Sequence, residues 1–314
     1  MIFLKLTDGL GNQMFQFAFA LALKKNNNER IYLDVSKLGK FHVRSYGLDN
    51  FVLNERVIIP GKIVQWSVRF YMKLLRLFLN RVLRVSLHNQ NGFNTYARLG
   101  FYTTEEPIKY FDVLSTNYPV KFVRGFYQSG RYFSNIKEEI RKNFILKNIP
   151  VKESILNIQD KILNCNSVCL HIRRGDYLKY PRFQICIEEY YQQAISYFKE
   201  KIADPVFFIF SNSHNDIEWI KQNYRLSAAI VWVDLQNKEE EDFYLMQCCK
   251  HFIISNSTFS WWAAYLSVNE DKKVIAPYPW IRGEKYQDDI YEESWIKINV
   301  DKNEDKICDK KMFE

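Results

Sequence analysis

A histidine, two arginines and an aspartate stand within six residues in His171-Ile-Arg173-Arg174-Gly-Asp176. They end an apolar run that reads as a strand over 167–173. Strand side chains alternate, so His171 and Arg173 share one side while Arg174 takes the other. Gly175 lets the chain turn. A histidine beside an arginine fork suits a nucleotide. The imidazole bonds a base or ribose, and the guanidinium clamps phosphate through two parallel N–H groups. The competing reading is structural: an Arg174–Asp176 ion pair with an idle His171.

A second polar strand end is Ser255-Asn256-Ser257-Thr258, which leads directly into an apolar helix carrying Trp261 and Trp262. Each of these residues is a good helix N-cap. One cap would suffice, and four polar residues in a row fit an anion site, because free N–H groups at a helix start favour phosphate. A third strand, 206–211, ends in Ser211-Asn212-Ser213 and reads as an ordinary capped turn.

These side chains need a frame. Strands are expected at 167–173, 206–211, 229–233, 251–255 and 273–276, with helices at 188–200, 214–223, 239–249 and 258–267. That alternation predicts a doubly wound parallel sheet, which binds ligands at the carboxyl ends of its strands. The first half reads as strand 1–6, a turn at Asp8-Gly-Leu-Gly11, a helix from Asn12 to about Lys25 and strand 30–34, a β-α-β unit. A strand at 121–127 and a helix at 133–144 follow, and Asn148-Ile149-Pro150 is the expected linker. The fold class is therefore α/β. Two Rossmann-type domains, 1–150 and 151–300, face a cleft, and a charged tail covers 301–314.

Several chemistries are excluded. Gly9-Leu-Gly-Asn-Gln-Met14 lacks the third glycine of a dinucleotide fingerprint, and Gly125 to Tyr132 lacks the Lys-Ser/Thr ending of a P-loop. No G-x-S-x-G nucleophile elbow occurs. No D-x-D occurs, which disfavours a metal-bridged nucleotide sugar. The six cysteines form no C-x-x-C pair, and the five histidines do not stand beside them at zinc-ligand spacing, so no metal or other cofactor is expected. Dispersed free thiols and an N-terminus that reads as a strand predict a cytoplasmic protein. No stretch of about 18 apolar residues occurs.

Together these segments resemble the bacterial α-1,2-fucosyltransferases of glycosyltransferase family 11. The similar motifs are Gly9-Leu-Gly-Asn-Gln-Met-Phe-Gln-Phe-Ala-Phe-Ala20, Gly125-Phe-Tyr-Gln-Ser-Gly-Arg-Tyr-Phe133, His171-Ile-Arg-Arg-Gly-Asp-Tyr177 and Ser255-Asn-Ser-Thr-Phe-Ser-Trp-Trp-Ala-Ala264, in the family's order. H-x-R-R-G-D-Y is shared with α-1,6- and protein O-fucosyltransferases. The resemblance implies a GT-B fold, GDP-fucose as co-substrate and inversion at the sugar carbon. The acceptor it implies is O-2 of a terminal galactoside in a surface polysaccharide or O-antigen repeat, carried on lipid. Arg173 would stabilise the leaving diphosphate. Ser255, Asn256, Ser257, Thr258 and Arg174 would hold the donor, His171 and Asp242 would contact guanine, and Gly11, Asn12 and Gln13 would close the site. For Asp242, in an acidic first helical turn, a helix-dipole role competes. Asp176 is the candidate base, or a brace for its loop. The family's usual Ser-Asp-Asp is here Ser211-Asn212-Ser213, which puts a carboxylate role at that turn in doubt. The alternatives are an α-1,6-type fucosyltransferase and a non-enzymatic nucleotide binder attached to anionic surfaces.

Over the 314 residues, 44 Lys+Arg face 36 Asp+Glu, a net charge of +8. Residues 56–104 hold eight of the basic residues and no acidic one, so the surplus is local and does not indicate nucleic acid. Within it, 62–86 reads as a basic amphipathic helix: Lys62, Arg69, Lys73, Arg76 and Arg84 alternate with Trp66, Phe70, Leu74, Phe78 and Leu83. Residues 62–84 either cover the first domain's core or contact an anionic membrane, the inner face of the plasma membrane, peripherally.

Overall fold

The computed structural model describes residues 1–24, 29–39, 45–53, 57–81, 84–114, 116, 118–148, 151–235 and 237–300. The chain divides into two compact units, Met1–Asn148 and Ile149–Glu314. Ile149 and Pro150 of the expected linker, and the tail from Asp301, lie outside the described residues.

The first unit runs β1 (Ile2–Lys5), α1 (Leu10–Ala22), β2 (Ile31–Asp34), β3 (Val57–Ile58), α2 (Lys62–Arg81), α3 (Gln90–Arg98), β4 (Phe101–Thr103), β5 (Lys121–Arg124) and α4 (Lys137–Asn143). Its five strands form a parallel sheet in the order β3-β2-β1-β5-β4. Helix α1 is apolar nearly all round because it is buried nearly all round, with Phe15, Phe17 and Phe19 fully inaccessible. Its Phe19 ring stacks on Tyr127 with centroids 3.8 Å apart, and Phe15 meets Phe133 at 6.1 Å. The two aromatic motifs of the first half are thus one packing unit.

Three expected elements are shorter than their sequence pattern. The helix expected over 133–144 is α-helical only over Lys137–Asn143, and the stretch Gly130–Ile136 before it is 3-10 with Phe133 non-helical. The strand expected over 121–127 ends at Arg124, and Tyr127 takes φ +55, a left-handed conformation that no strand accommodates. The helix expected over 62–86 ends at Arg81. Val82 and Leu83 lie outside the described residues, and Arg84 has φ +49, which stops any helix from running through it.

The second unit runs α5 (Glu153–Leu163), β6 (Asn166–Ile172), α6 (Glu188–Lys201), β7 (Pro205–Ser211), α7 (His214–Asn223), β8 (Ala229–Trp232), α8 (Glu239–Cys248), β9 (His251–Ile253), α9 (Thr258–Leu266), β10 (Val274–Tyr278) and β11 (Ile296–Asn299). Its parallel sheet has the order β11-β10-β9-β6-β7-β8. Successive strands step outward from β6 through β7 to β8, then start again at β9 on the other side of β6. The order therefore reverses between β6 and β9, and in open parallel sheets that switch point opens a crevice at the carboxyl ends. Strand β6 lies mid-sheet, covered on both faces, so all of Ser167–Ile172 is buried. Two parallel α/β units are the architecture that the GT-B expectation requires.

Candidate functional site

The switch point is where the two polar strand ends meet. Strand β6 ends at the Ile172–Ser211 pair, and Ser211 Oγ donates to Ile172 O at 2.8 Å. Arg174 N then donates to Asn212 Oδ1 at 3.0 Å. Gly175 follows with φ +42, and a Cβ there would lie 3.2 Å from Asn212 Cγ. Glycine is required at this corner for its backbone freedom and for space. The amide of Asn212 supplies the acceptor that holds the corner, so this turn works here without a carboxylate.

His171 is buried, with Nδ1 2.9 Å from Ser255 Oγ; either atom can donate. Burial, reinforced by Arg173, pushes the imidazole down to about 3, so it is neutral at ordinary pH. Arg173 reaches Asp176 Oδ1 at 2.6 Å, its guanidinium carbon 5.2 Å from the centre of the Tyr177 ring. Its Nε is buried without a hydrogen-bond partner. A buried guanidinium N–H without an acceptor is costly unless a ligand supplies one.

Arg174 turns to the other side, as strand alternation predicts. Its guanidinium carbon sits 3.2 Å from the centre of the Trp219 ring, and its Nε lies 3.4 Å from Asp216 Oδ1. The Arg174–Asp176 ion pair expected as the structural alternative is therefore not formed. Arg174 pairs with α7, and Asp176 pairs with Arg173.

The run after β9 divides its work. Ser255 serves His171. Asn256 donates through Nδ2 to Phe183 O at 3.0 Å, and its backbone oxygen accepts from Tyr177 OH at 3.0 Å. It thereby fastens the segment that carries Asp176 and Tyr177. Ser257 occupies the N-cap of α9, yet its side chain makes no capping hydrogen bond. The start of α9, at Thr258, is left open to an external acceptor. Trp261 and Trp262 are wholly buried, as expected for core residues.

Asp242 lies in the first turn of α8 beside Glu239, Glu240 and Glu241. Burial raises its carboxyl to about 7, aided by the neighbouring acids and opposed by a hydrogen bond from Asn237. That bond, Nδ2 to Oδ1, is 2.7 Å long, and Asn237 Oδ1 is buried with no partner of its own. Asn237 escaped the sequence reading, although a polar residue just ahead of an acidic helix start was available as a signal. Rings connect the two ends of this region, Phe243 to Phe259 at 5.2 Å and Phe259 to His171 at 6.1 Å.

In the first unit, Gly11, Asn12 and Gln13 open α1. Gln13 is fully buried. Its Nε2 donates to Asp8 O and Ser45 O, both at 2.8 Å, and its Oε1 accepts from Gly47 N at 3.0 Å. These bonds fix the 45–47 loop. Asn12 Oδ1 accepts from Gln128 Nε2 at 2.8 Å, which ties the first motif to the second.

A cluster not foreseen in the sequence joins His214, Glu218 and Asp234, whose ligand atoms lie within 4.8 Å of one another. His214 Nδ1 is 2.6 Å from Asp234 Oδ2. Helix α7 carries His214 and Glu218 one turn apart, and Asp234, just past β8, joins them from 20 positions along the chain, so no local ligand motif shows the set.

A model of the family described as glycosyl transferase family 11 matches residues 1–299. The chain belongs to that family. Among similar proteins, an alpha-1,2-colitosyltransferase of Escherichia coli is 33% identical over 94% of this chain and 97% of its own length. The O-antigen biosynthesis glycosyltransferase WbnK of Escherichia coli is 28% identical over 93% and 99%. Human galactoside alpha-(1,2)-fucosyltransferase 1 is 30% identical over 48% of this chain and 44% of its own. Among solved structures, POFUT1 in complex with GDP overlaps 88% of this chain and 97% of its own at a TM-score of 0.45 and 12% identity.

Proposed function

We propose that this family 11 glycosyltransferase moves L-fucose from GDP-fucose to O-2 of a terminal galactoside in an O-antigen or related surface polysaccharide, with inversion. The observation that carries the reading is the pairing at the switch point. Arg173 has a buried N–H without an acceptor, and the α9 start has no side-chain cap. Both invite the same anion.

As the sugar–diphosphate bond breaks, negative charge grows on the leaving GDP. Arg173 neutralises it, and Ser257, Thr258 and the α9 amides bind the same phosphates. Asp176 holds Arg173 in place. Neutral His171, fixed by Ser255, and Asp242, fixed by Asn237, receive the guanine. No metal is needed in this scheme because the arginine and helix start supply the positive charge. The chain works in the cytoplasm, where nucleotide sugars are made.

A second donor is favoured by one observation, the likeness to the alpha-1,2-colitosyltransferase over nearly the whole of both chains. Colitose is fucose without its 3-hydroxyl, so one pocket can accept either unless a hydrogen bond to that hydroxyl selects. Assays with GDP-fucose and GDP-colitose on β-1,3- and β-1,4-linked galactosides, with the product linkage solved, decide between them. GDP should raise the melting temperature without Mg²⁺. The scheme is lost if GDP gives no shift, or if EDTA abolishes turnover, which would move attention to His214, Glu218 and Asp234.

A further inference from the structure

Helix α2 buries only Gln65 and Leu79 of its 20 residues. Met72, Leu75 and Leu79 pack on Tyr96, Phe101 and Phe122. A separate row faces outward: Ile63 is 82% exposed, Trp66 60%, and Phe70, Leu74 and Phe78 about half. Trp66 and Phe70 stack in parallel with centroids 5.4 Å apart, so the row is one apolar ridge. Such a ridge on a solvated surface marks a contact. Lys62, Arg69 and Lys73 stand one position before Ile63, Phe70 and Leu74, about 100° round, and with Arg76, three residues after Lys73, form a basic row beside it.

The basic row borders a cavity of about 210 Å³ between α2 and the sheet. Its floor is apolar, with Phe3, Phe101 and Phe122 among the lining. Its cations are Lys5, Arg69, Lys73, Arg76 and Arg124, against Asp34 alone among acids. Lys5, Asp34, Thr103 and Arg124 come from the carboxyl ends of β1, β2, β4 and β5. Arg69 bonds Ser36 and lies 3.9 Å from Asp34, and Arg76 pairs with Glu105. Among the described residues no carboxylate reaches ion-pair distance of Lys5, Lys73 or Arg124. Burial, then Arg124, hold the Lys5 ammonium below its usual value. The cluster is therefore short of negative charge.

We infer that this face of the first unit docks on an anionic phospholipid bilayer. The Trp66–Phe70 ridge enters the headgroup boundary, and the basic row meets lipid phosphates, one of which the cavity mouth receives between Lys73 and Arg124. Charge complementarity selects this occupant: an apolar ridge alone would suit any hydrophobic partner, but a ridge flanked by a basic row in which Lys62 and Lys73 have no ion-pair partner among the described residues suits a surface that is apolar beneath and negative above. No helix among the described residues is long and apolar enough to cross the bilayer, so the contact is peripheral.

Vesicle flotation tests it with the full chain. Binding is expected to phosphatidylglycerol/phosphatidylcholine vesicles and not to pure phosphatidylcholine. It should fall steeply between about 0.1 M and about 1 M salt, as the screening length drops from ~10 to ~3 Å. Lys73→Gln should weaken it roughly fivefold, the effect of one cation near an anionic surface. Trp66→Glu with Phe70→Glu should abolish it, and both positions are exposed enough that the fold is kept. If the double variant misfolds, the Lys73→Gln and salt results still decide. Failure to float with anionic vesicles, equal binding to neutral ones, or a salt-insensitive interaction overturns the proposal. So does a dimer in sedimentation that the double variant dissolves, which would assign the ridge to a second copy of the chain.

Discussion

His171 and Ser255 sit on neighbouring strand ends, Nδ1 and Oγ 2.9 Å apart, 84 residues from each other in sequence. This contact joins the two polar segments that were suggestive separately. It also fixes the imidazole on the side of the sheet where Arg173 stands.

Arg173→Ala should leave the fold intact and lower kcat about 10²- to 10³-fold, the usual cost of removing one preorganised donor from developing charge. Arg173→Lys should recover little, because a point charge cannot replace the buried Nε–H. Steady-state kinetics with the donor saturating check this. A KM effect with kcat unchanged would remove Arg173 from the chemistry.

Asp242 should make GDP binding depend on pH near neutrality. Its carboxyl titrates at about 7 in the folded chain, and guanine N–H groups need an ionised acceptor. Affinity should therefore weaken as pH falls from about 8 to about 6, and Asp242→Asn should flatten that profile. Calorimetry across this range is the measurement, and a profile unchanged in Asp242→Asn counts against the contact.

The same groups act on stability with opposite signs. His171 is depressed to about 3 from the ordinary 6.5 of a histidine, so in that window the unfolded chain binds more protons and stability falls as pH falls. Asp242 is raised, so between the ordinary 3.8 of an aspartate and about 7 the folded chain holds the extra proton and stability falls as pH rises. Denaturant midpoints for His171→Gln and Asp242→Asn, measured against pH, should show each slope removed.

Asn212→Asp should be tolerated, because it keeps the oxygen that accepts from Arg174 N. Asn212→Ala should cost about 1 kcal/mol by removing that hydrogen bond, and should lower activity by loosening the corner at Gly175. Thermal melts paired with turnover distinguish the two. Equal loss in both variants would mean the amide nitrogen matters instead.

Gln13→Ala should be destabilising by several kcal/mol, since it leaves two carbonyls and one N–H unpaired in a buried place at roughly 1–3 kcal/mol each. Chemical denaturation measures this. A loss below about 1 kcal/mol would show that water replaces the amide.

Much of this was legible before the structure. The strand–helix alternation of the second unit gave nine of its eleven named elements to within about two residues, because apolar runs such as Phe207–Phe210 suit covered strands, and missed the edge strand β11 (Ile296–Asn299) and helix α5. Helix α5 was overlooked although Ile155, Ile158 and Ile162 carry its buried face at helical spacing. Strand β4, three residues long, was too brief for any pattern to show. The Arg174–Asp176 pairing looked natural in sequence and fails because alternation at a strand end outweighs nearness along the chain. The cationic cavity was unreadable, since Lys5, Asp34 and Arg124 become neighbours only through the strand order β2-β1-β5. Likewise Gln13 looked like a ligand contact until the 45–47 loop was seen to need it.

The open start of α9 sets a trap for anyone improving this protein. An acidic residue there, as in Ser257→Asp, would favour the helix dipole by roughly 0.3–1 kcal/mol and place a negative charge where the proposed scheme seats the diphosphate. A screen for heat resistance alone would therefore select it and discard the enzyme.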